Sequence, residues 1–337
     1  MSKKILVAGG AGYIGSHTIV ELANEGYEPI IVDDFSNSQE SVLNGLEKII
    51  GRKISFYKVN CVDEKSLNEI FELEKNIHGV IHFAAFKAVG ESVENPLKYY
   101  KNNLNSLMSL ISSMKKNKIK NLVFSSSCTV YGIPDSLPIN EEAPIKLANS
   151  PYGNTKKISE EIIKDCLHSN DLKKAVLLRY FNPIGAHESA LIGELPIGEP
   201  DNLVPRITQK AAGILEGFKI NGDNYDTLDG TCIRDYIHVV DLAKAHVKDL
   251  EYFGKSSKRL GIFNIGTGKG TSVLELINIF ENVSGKKFEY EIGEKRDGDI
   301  PEIYADVKKA NDELDWKAEL SIEDALSSAW KWQKNLS

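Results

Sequence analysis

No long apolar run occurs anywhere in the 337 residues. The opening MSKKILVAGG offers four apolar residues before glycine intervenes, too few for a signal-peptide core, and no stretch approaches the ~20 residues needed to cross a bilayer. Secretion and membrane insertion are excluded as readings, and the cytoplasm is the expected location. Cysteine is scarce: Cys61, Cys128, Cys166 and Cys232 are scattered, with no Cys-x-x-Cys pair. Such spacing suits reduced thiols better than a disulfide framework or a zinc site. The seven histidines show no ligand spacing, His238 and His246 coming nearest, so no metal is expected. Positive charge is in deficit, 41 Lys and Arg against 48 Asp and Glu for a net charge of −7, which disfavours nucleic acid as a partner. The basic KKNKIK at 115–120 reads as a solvated helix end leading into a strand. Internal repeats and low-complexity segments are also missing.

What is present is ordinary globular composition, 42% apolar and 26% charged, at a length that suits one large or two modest domains. Short β-branched and apolar runs recur as KKILVAG, PIIVDDF, ISFYKVN, GVIHFAA, NLVFSSSC and KAVLLRYF. Near-continuous runs of this kind are buried on both faces, as in a parallel sheet. Helix-length segments separate them, including SHTIVELANEG and PLKYYKNNLNSLMSLISSMKKN. The alternation predicts an α/β fold with a doubly wound, Rossmann-like parallel sheet over residues 1–180. Past RYFNP the chain becomes rich in Gly and Pro, and residues 181–337 are expected to form a smaller mixed α/β lobe. Helices are expected near 204–217, 272–283 and up to 334, and the segment around 235–266 could return to the first domain.

Three groups of residues carry chemistry. In VAGGAGYIG, Gly9, Gly12 and Gly15 follow a strand and open a helix, a turn that lets backbone N–H groups approach a pyrophosphate. Glycine-rich turns are often only structural, but the next strand ends in IVDDFSNS and puts Asp33 eighteen residues beyond Gly15. A carboxylate there accepts from both adenosine ribose hydroxyls and repels a 2′-phosphate, which favours NAD over NADP. In SPYGNTK, Ser150 suits an N-cap and Pro151 the first helical position, so Tyr152 falls in the first turn and Lys156 on the same face one turn on. A neighbouring cation, the helix N-terminus and an oxidised nicotinamide would all favour phenolate, and a phenol brought near neutrality is a general base. The pair alone could equally be an exposed tyrosine and lysine. The strand NLVFSSSC, however, ends in Ser125, Ser126 and Ser127, where ligands of such sheets bind.

Glycine turn, strand-end serine and Tyr-x-x-x-Lys follow the order of the extended short-chain dehydrogenase/reductase superfamily. GGAGYIGSH, VIHFAAFKAVGESV, SSSCTVYG, SPYGNTK, LRYFNPIGAHES, DGTCIRDYIHVVDLA and FNIGTGKGTSV together resemble the UDP-glucose 4-epimerase family, over about residues 4–316. The resemblance implies that Tyr152 takes the sugar 4-hydroxyl proton, Lys156 tunes it and holds the nicotinamide ribose, and Ser127 bridges hydroxyl and phenol. It further implies NAD held by Gly9, Gly12, Tyr13, Ile14, Gly15, Asp33, Asn37, Ser38, Asn60, Cys61, Phe83, Ala84, Lys87, Asn102 and Tyr180. The implied partner is a UDP-hexose, bound by Asn182, Asn202, Leu203, Arg234, Arg296, Asp299 and Ile303. The helices near 96–117 and 152–169 are expected, by resemblance, to pair with their copies in a homodimer.

Four positions depart from the family pattern. Asn60 stands where aspartate usually accepts from the adenine amine, Asn221 where an aromatic often packs on uracil, and Lys295 where arginine is common. Ile303 is intermediate between the tyrosine of enzymes for plain sugars and the small residue that admits N-acetylated ones. UDP-glucose and UDP-galactose are therefore the expected substrates, with some tolerance of N-acetyl forms; an epimerase for UDP-GlcNAc and UDP-GalNAc, or a bifunctional one, is the alternative. The 4,6-dehydratases share fold, NAD and Tyr-x-x-x-Lys but carry an acidic pair at the strand end, where this chain has Ser126 and Ser127. A dinucleotide-sensing regulator on the same fold would have no use for the serine, tyrosine, lysine and arginine set.

Overall fold

The computed structural model describes residues 2–296 and 299–336. Its main sheet has seven parallel strands: β1 (Lys4–Ala8), β2 (Glu28–Asp33), β3 (Ser55–Lys58), β4 (Ile77–His82), β5 (Asn121–Ser127), β6 (Lys174–Tyr180) and β7 (Leu260–Ile265). Their order is β7-β6-β5-β4-β1-β2-β3, the doubly wound pattern extended by one strand. Chain direction across the sheet reverses between β1 and β4, so the crevice beyond their carboxyl ends is the topological switch point.

The burial of both sheet faces explains the apolar runs. In β1, Ile5 and Val7 face one core and Leu6 and Ala8 the other, all without solvent exposure. The first core is closed by helices Tyr13–Asn24, Ser41–Ile50 and Val239–Lys255, the second by Glu64–Leu73, Pro96–Lys116 and Pro151–His168. The strand-like GIFNIG segment belongs to this sheet: β7 pairs in parallel with β6 from Leu260↔Ala175 to Ile265↔Tyr180.

Beyond β6 the chain builds a second, smaller core. Ile184, Val204, Ile207, Phe218, Leu276, Phe280, Leu326 and Trp330 pack together under helices Leu203–Ala211, Val273–Ser284 and Ile322–Leu336. The second of these opens on a full capping box between Ser272 and Glu275. The helix expected over 204–217 stops at Ala211, because Gly213 adopts a left-handed φ of 76° and turns the chain out of helix. Among the described residues no helix is long and apolar enough to cross a membrane, and no group of three or more His, Cys, Asp or Glu is arranged to hold a metal ion.

Candidate active site

A cleft of about 1020 Å³ runs along the carboxyl edge of the sheet and between the two lobes. Its floor at the switch point is the glycine turn. Gly9 has a φ of 79°, and a Cβ there would stand 2.7 Å from the Ala84 nitrogen; a Cβ on Gly15 would stand 2.2 Å from the Gly9 carbonyl oxygen. Any side chain at either position would force the turn away from β4 and open the helix start. The Tyr13–Asn24 helix has no side-chain cap and no acidic residue in its first turn, so its leading N–H groups and positive dipole end face the cleft uncompensated. That is the donor set a pyrophosphate needs.

Asp33 ends β2 at 8% exposure, and burial raises its carboxyl pKa against hydrogen bonds from Phe35, Ser38 and Ala11 that lower it. The Ala11 amide donates to it at 3.0 Å, the Phe35 amide at 2.9 Å and the Ser38 hydroxyl at 3.0 Å. Three protein donors thus fix the carboxylate and leave it part of its acceptor capacity for ribose hydroxyls. Asn60 is committed differently from its expected role. Its amide nitrogen donates to Asp34 at 2.7 Å and its oxygen accepts from the Val62 amide at 2.9 Å, so that oxygen serves a local turn before it can meet an adenine amine. The neighbouring Cys61 thiol is pushed up to about 12 by burial and is inert.

At the other end of the cleft stand Ser127, Tyr152 and Lys156. Ser150 caps the Pro151–His168 helix by accepting from the Gly153 amide at 3.1 Å, and Pro151 occupies its first turn. Tyr152 and Lys156 consequently share the face turned to the sheet. Lys156 is 4% exposed; its ammonium donates to the Ser125 carbonyl at 2.5 Å, 4.9 Å from the Phe124 ring centroid and 5.9 Å from that of Tyr152. Burial lowers its pKa to about 7, opposed by the Glu160 carboxylate. Burial also raises the Tyr152 phenol to about 12, opposed by the Ser127 hydroxyl. The expected drop of the phenol toward neutrality is therefore not produced by the protein groups themselves. Desolvation of the phenolate outweighs the Ser127 hydrogen bond that favours it.

Tyr180 closes the site from β6. The His246 Nδ1–H donates to the Leu242 carbonyl at 2.8 Å, so Nε2 accepts from the Tyr180 hydroxyl at 2.5 Å. Burial holds that imidazole down at about 4, hence neutral, and its ring lies 4.8 Å from Phe83.

On the second lobe's wall, Arg234 donates to the Ile233 carbonyl at 2.9 Å and lies 3.8 Å from Asp299. The Tyr225 hydroxyl donates to Asp299 at 3.3 Å. The Asn221 amide oxygen, its amide turned to satisfy both partners, accepts from Arg296 at 2.9 and 3.0 Å. Asn221 thus holds an arginine where a stacking ring was the family expectation. Ile303 is 3% exposed, paired in register with Arg234.

All the site residues named from the sequence line this one cleft except Leu203, whose side chain packs on the second lobe's core. The alignment of Asn202 and Lys87 depends on a residue the sequence reading passed over. Glu194, from the Gly- and Pro-rich segment, accepts from Lys87 at 3.0 Å and from Asn202 at 2.5 Å, joining the two lobes across the cleft. Also passed over were Asn103, which pins the 83–88 loop by accepting from the Phe86 amide at 2.9 Å, and Asp235, which accepts from the Thr267, Gly268 and Ala305 amides. Apart from Glu194 and Asn202, eight positions apart, these contacts lie 17 to 107 positions apart in sequence, where no local motif can register them.

Similarity to known proteins agrees with this geometry. Residues 6–329 match the family model described as GDP-mannose 4,6 dehydratase. A UDP-glucose 4-epimerase of Bacillus subtilis is 49% identical over 98% of this chain and 97% of its own length, and the human UDP-glucose 4-epimerase is 45% identical over 99% and 97%. The crystal structure of the Bifidobacterium longum UDP-glucose 4-epimerase in complex with NAD+ and UDP superposes with a TM-score of 0.95 at 47% identity, covering 99% of this chain and 98% of that one. The chain belongs to the UDP-glucose 4-epimerase family.

Proposed function

We propose that the chain interconverts UDP-glucose and UDP-galactose by inverting C4 through a 4-keto sugar, with NAD held along residues 1–180 and the segment around 235–266, and UDP-sugar held by residues 181–337. The observation that carries this reading is the meeting of the buried Ser127 and Lys156 with the half-buried Tyr152 in one cleft with the uncapped glycine turn and Arg234.

When bound, NAD supplies at C4 the acceptor and later the donor of hydride, and a positive charge beside the phenol. The residues of the chain handle the proton and the orientation. Tyr152 takes the 4-hydroxyl proton, Ser127 bridges the two oxygens, and the charged Lys156 stabilises the phenolate as it forms. With burial holding the phenol above its ordinary value, deprotonation at neutral pH needs added cationic stabilisation. Arg234 and Arg296 grip the diphosphate, Asp299 takes a ribose hydroxyl, and Asn182 and Asn202 contact the sugar nucleotide. Anchoring through UDP leaves the hexose free to turn over between the two half-reactions. The closed chemistry predicts conversion of UDP-galactose to UDP-glucose by purified protein with no NAD added; a strict need for exogenous NAD in every turnover would refute a retained cofactor.

The buried Ile303 borders the hexose in this reading and sets the sugar range. Replacing it with alanine is expected to raise kcat/KM for UDP-GlcNAc relative to UDP-glucose by about tenfold. Equal or better turnover of UDP-GlcNAc by the unaltered chain would instead favour the N-acetyl epimerase. The helices Pro96–Lys116 and Pro151–His168 pack side by side and leave Leu97 and Met108 exposed, which supports a homodimer through this face. A cytoplasmic location accords with four free thiols.

A further inference from the structure

Behind the tyrosine and lysine lies a buried ion pair that the chemistry above does not use. Glu160 follows Lys156 by one helical turn, as Lys156 follows Tyr152, so the three share one helix face. The Glu160 and Arg179 side chains are each 2% exposed. Arg179, from β6 next to Tyr180, donates from Nε at 3.0 Å and from Nη2 at 2.7 Å to the two Glu160 oxygens, a bidentate clamp. The Ser126 hydroxyl donates to the same carboxylate at 2.6 Å. Arg179 donates onward to the Tyr131 hydroxyl at 3.0 Å, which donates to Asn264 of β7 at 2.6 Å. The chain of contacts ties the catalytic helix to β5, β6 and β7 at once. Ser125, Ser126 and Ser127 divide their roles accordingly: the first takes the lysine, the second the glutamate, the third the phenol.

Replacing such a pair by apolar residues is often neutral or stabilising, so stability alone does not account for it. We propose that Glu160 is a positioning residue of the reaction: locked by Arg179 and Ser126, its carboxylate holds a negative charge one turn behind Lys156 and keeps that lysine in its charged form beside Tyr152. The inference rests on Tyr152 being the base and Lys156 its cation. The groups facing Lys156 leave Glu160 as the anionic one. Tyr152 on the same helix and Tyr180 from β6 are neutral phenols, raised by burial. His82 from β4 is lowered to about 3 by burial and by Lys156 itself, hence also neutral. Arg179 is a cation, yet its charge is directed into the carboxylate clamp. Glu160 is also the one cause that raises the Lys156 pKa against burial.

A lysine that must be protonated loses function as pH rises through its pKa, so removing Glu160's charge moves the basic limb of the kcat profile to lower pH. Glu160→Gln alone would strand the Arg179 charge in the core, so the test replaces both partners. Glu160→Gln with Arg179→Met keeps an amide for Ser126, and Glu160→Leu with Arg179→Met serves if the first pair does not fold. The expected result is a basic limb displaced downward by about one pH unit, with KM for UDP-galactose changed less than about twofold. Arg179→Lys alone retains the carboxylate with a cation beside it and is expected to keep the original limb. A fall in kcat or Tm with the limb unmoved overturns the proposal and leaves the pair a structural brace. Failure of the unaltered protein to epimerise UDP-galactose would instead sink the reading of the site.

Discussion

Replacing Tyr152 with phenylalanine lowers kcat for UDP-galactose by about 10³-fold, near the middle of the range general acid–base groups contribute. KM stays within about threefold, because the binding energy assigned to Arg234, Arg296 and Asp299 is spent on the nucleotide and not on the reacting carbon. The fold is left intact. The lost oxygen is partnered by Ser127, while the ring keeps its place beside Lys156 in the first turn of a helix already capped by Ser150. Initial rates from a coupled UDP-glucose assay, with a thermal melt of the same preparation, decide the matter. A variant that keeps more than about a tenth of the activity would remove the phenol from the reaction and return the proton transfer to Ser127 or to water.

Replacing Asp249 with alanine stabilises the protein at neutral pH by on the order of 2 kcal/mol, about 3 °C in Tm. Asp249 lies on the inward face of the Val239–Lys255 helix with no exposure, and no protein donor reaches either carboxyl oxygen among the described residues. Burial pushes its pKa well above the ordinary carboxylate value. The sign follows from linkage. The folded state holds a proton that the unfolded state releases above about pH 4, so the wild type loses stability as pH rises from there. The gain from the alanine variant is therefore largest at neutral pH and above, and narrows toward pH 4. Melts at pH 4, 5.5 and 7.5 test this. Destabilisation at pH 7.5 would show that the carboxyl supports the nearby Tyr180 instead of burdening the core.

Much of the site could be read from the chain because its parts are local. The glycine turn, Asp33 at the end of β2, and the cap, phenol and ammonium of SPYGNTK each lie within one strand, turn or helix start, where spacing alone dictates which groups share a face. Strand-end chemistry is equally local: Ser127 ends β5 whatever packs around it. The helix expected over 204–217 ends at Ala211 because Gly213 takes a left-handed backbone conformation there.

The sequence by itself determined the strand and helix alternation, the dinucleotide turn and the Tyr-Lys pair, since these follow from periodicity and steric preference over a few residues. Tertiary structure alone decided that Glu194 joins Lys87 to Asn202, that Asn221 holds Arg296, and that Glu160 meets Arg179 behind Lys156. It also decided the electrostatics: burial drives the phenol up and the ammonium down, reversing the push that charge proximity suggests. The reason is the same throughout. Desolvation and long-range pairing depend on which elements enclose a group, and that is settled only when the sheet, its helices and the second lobe close together.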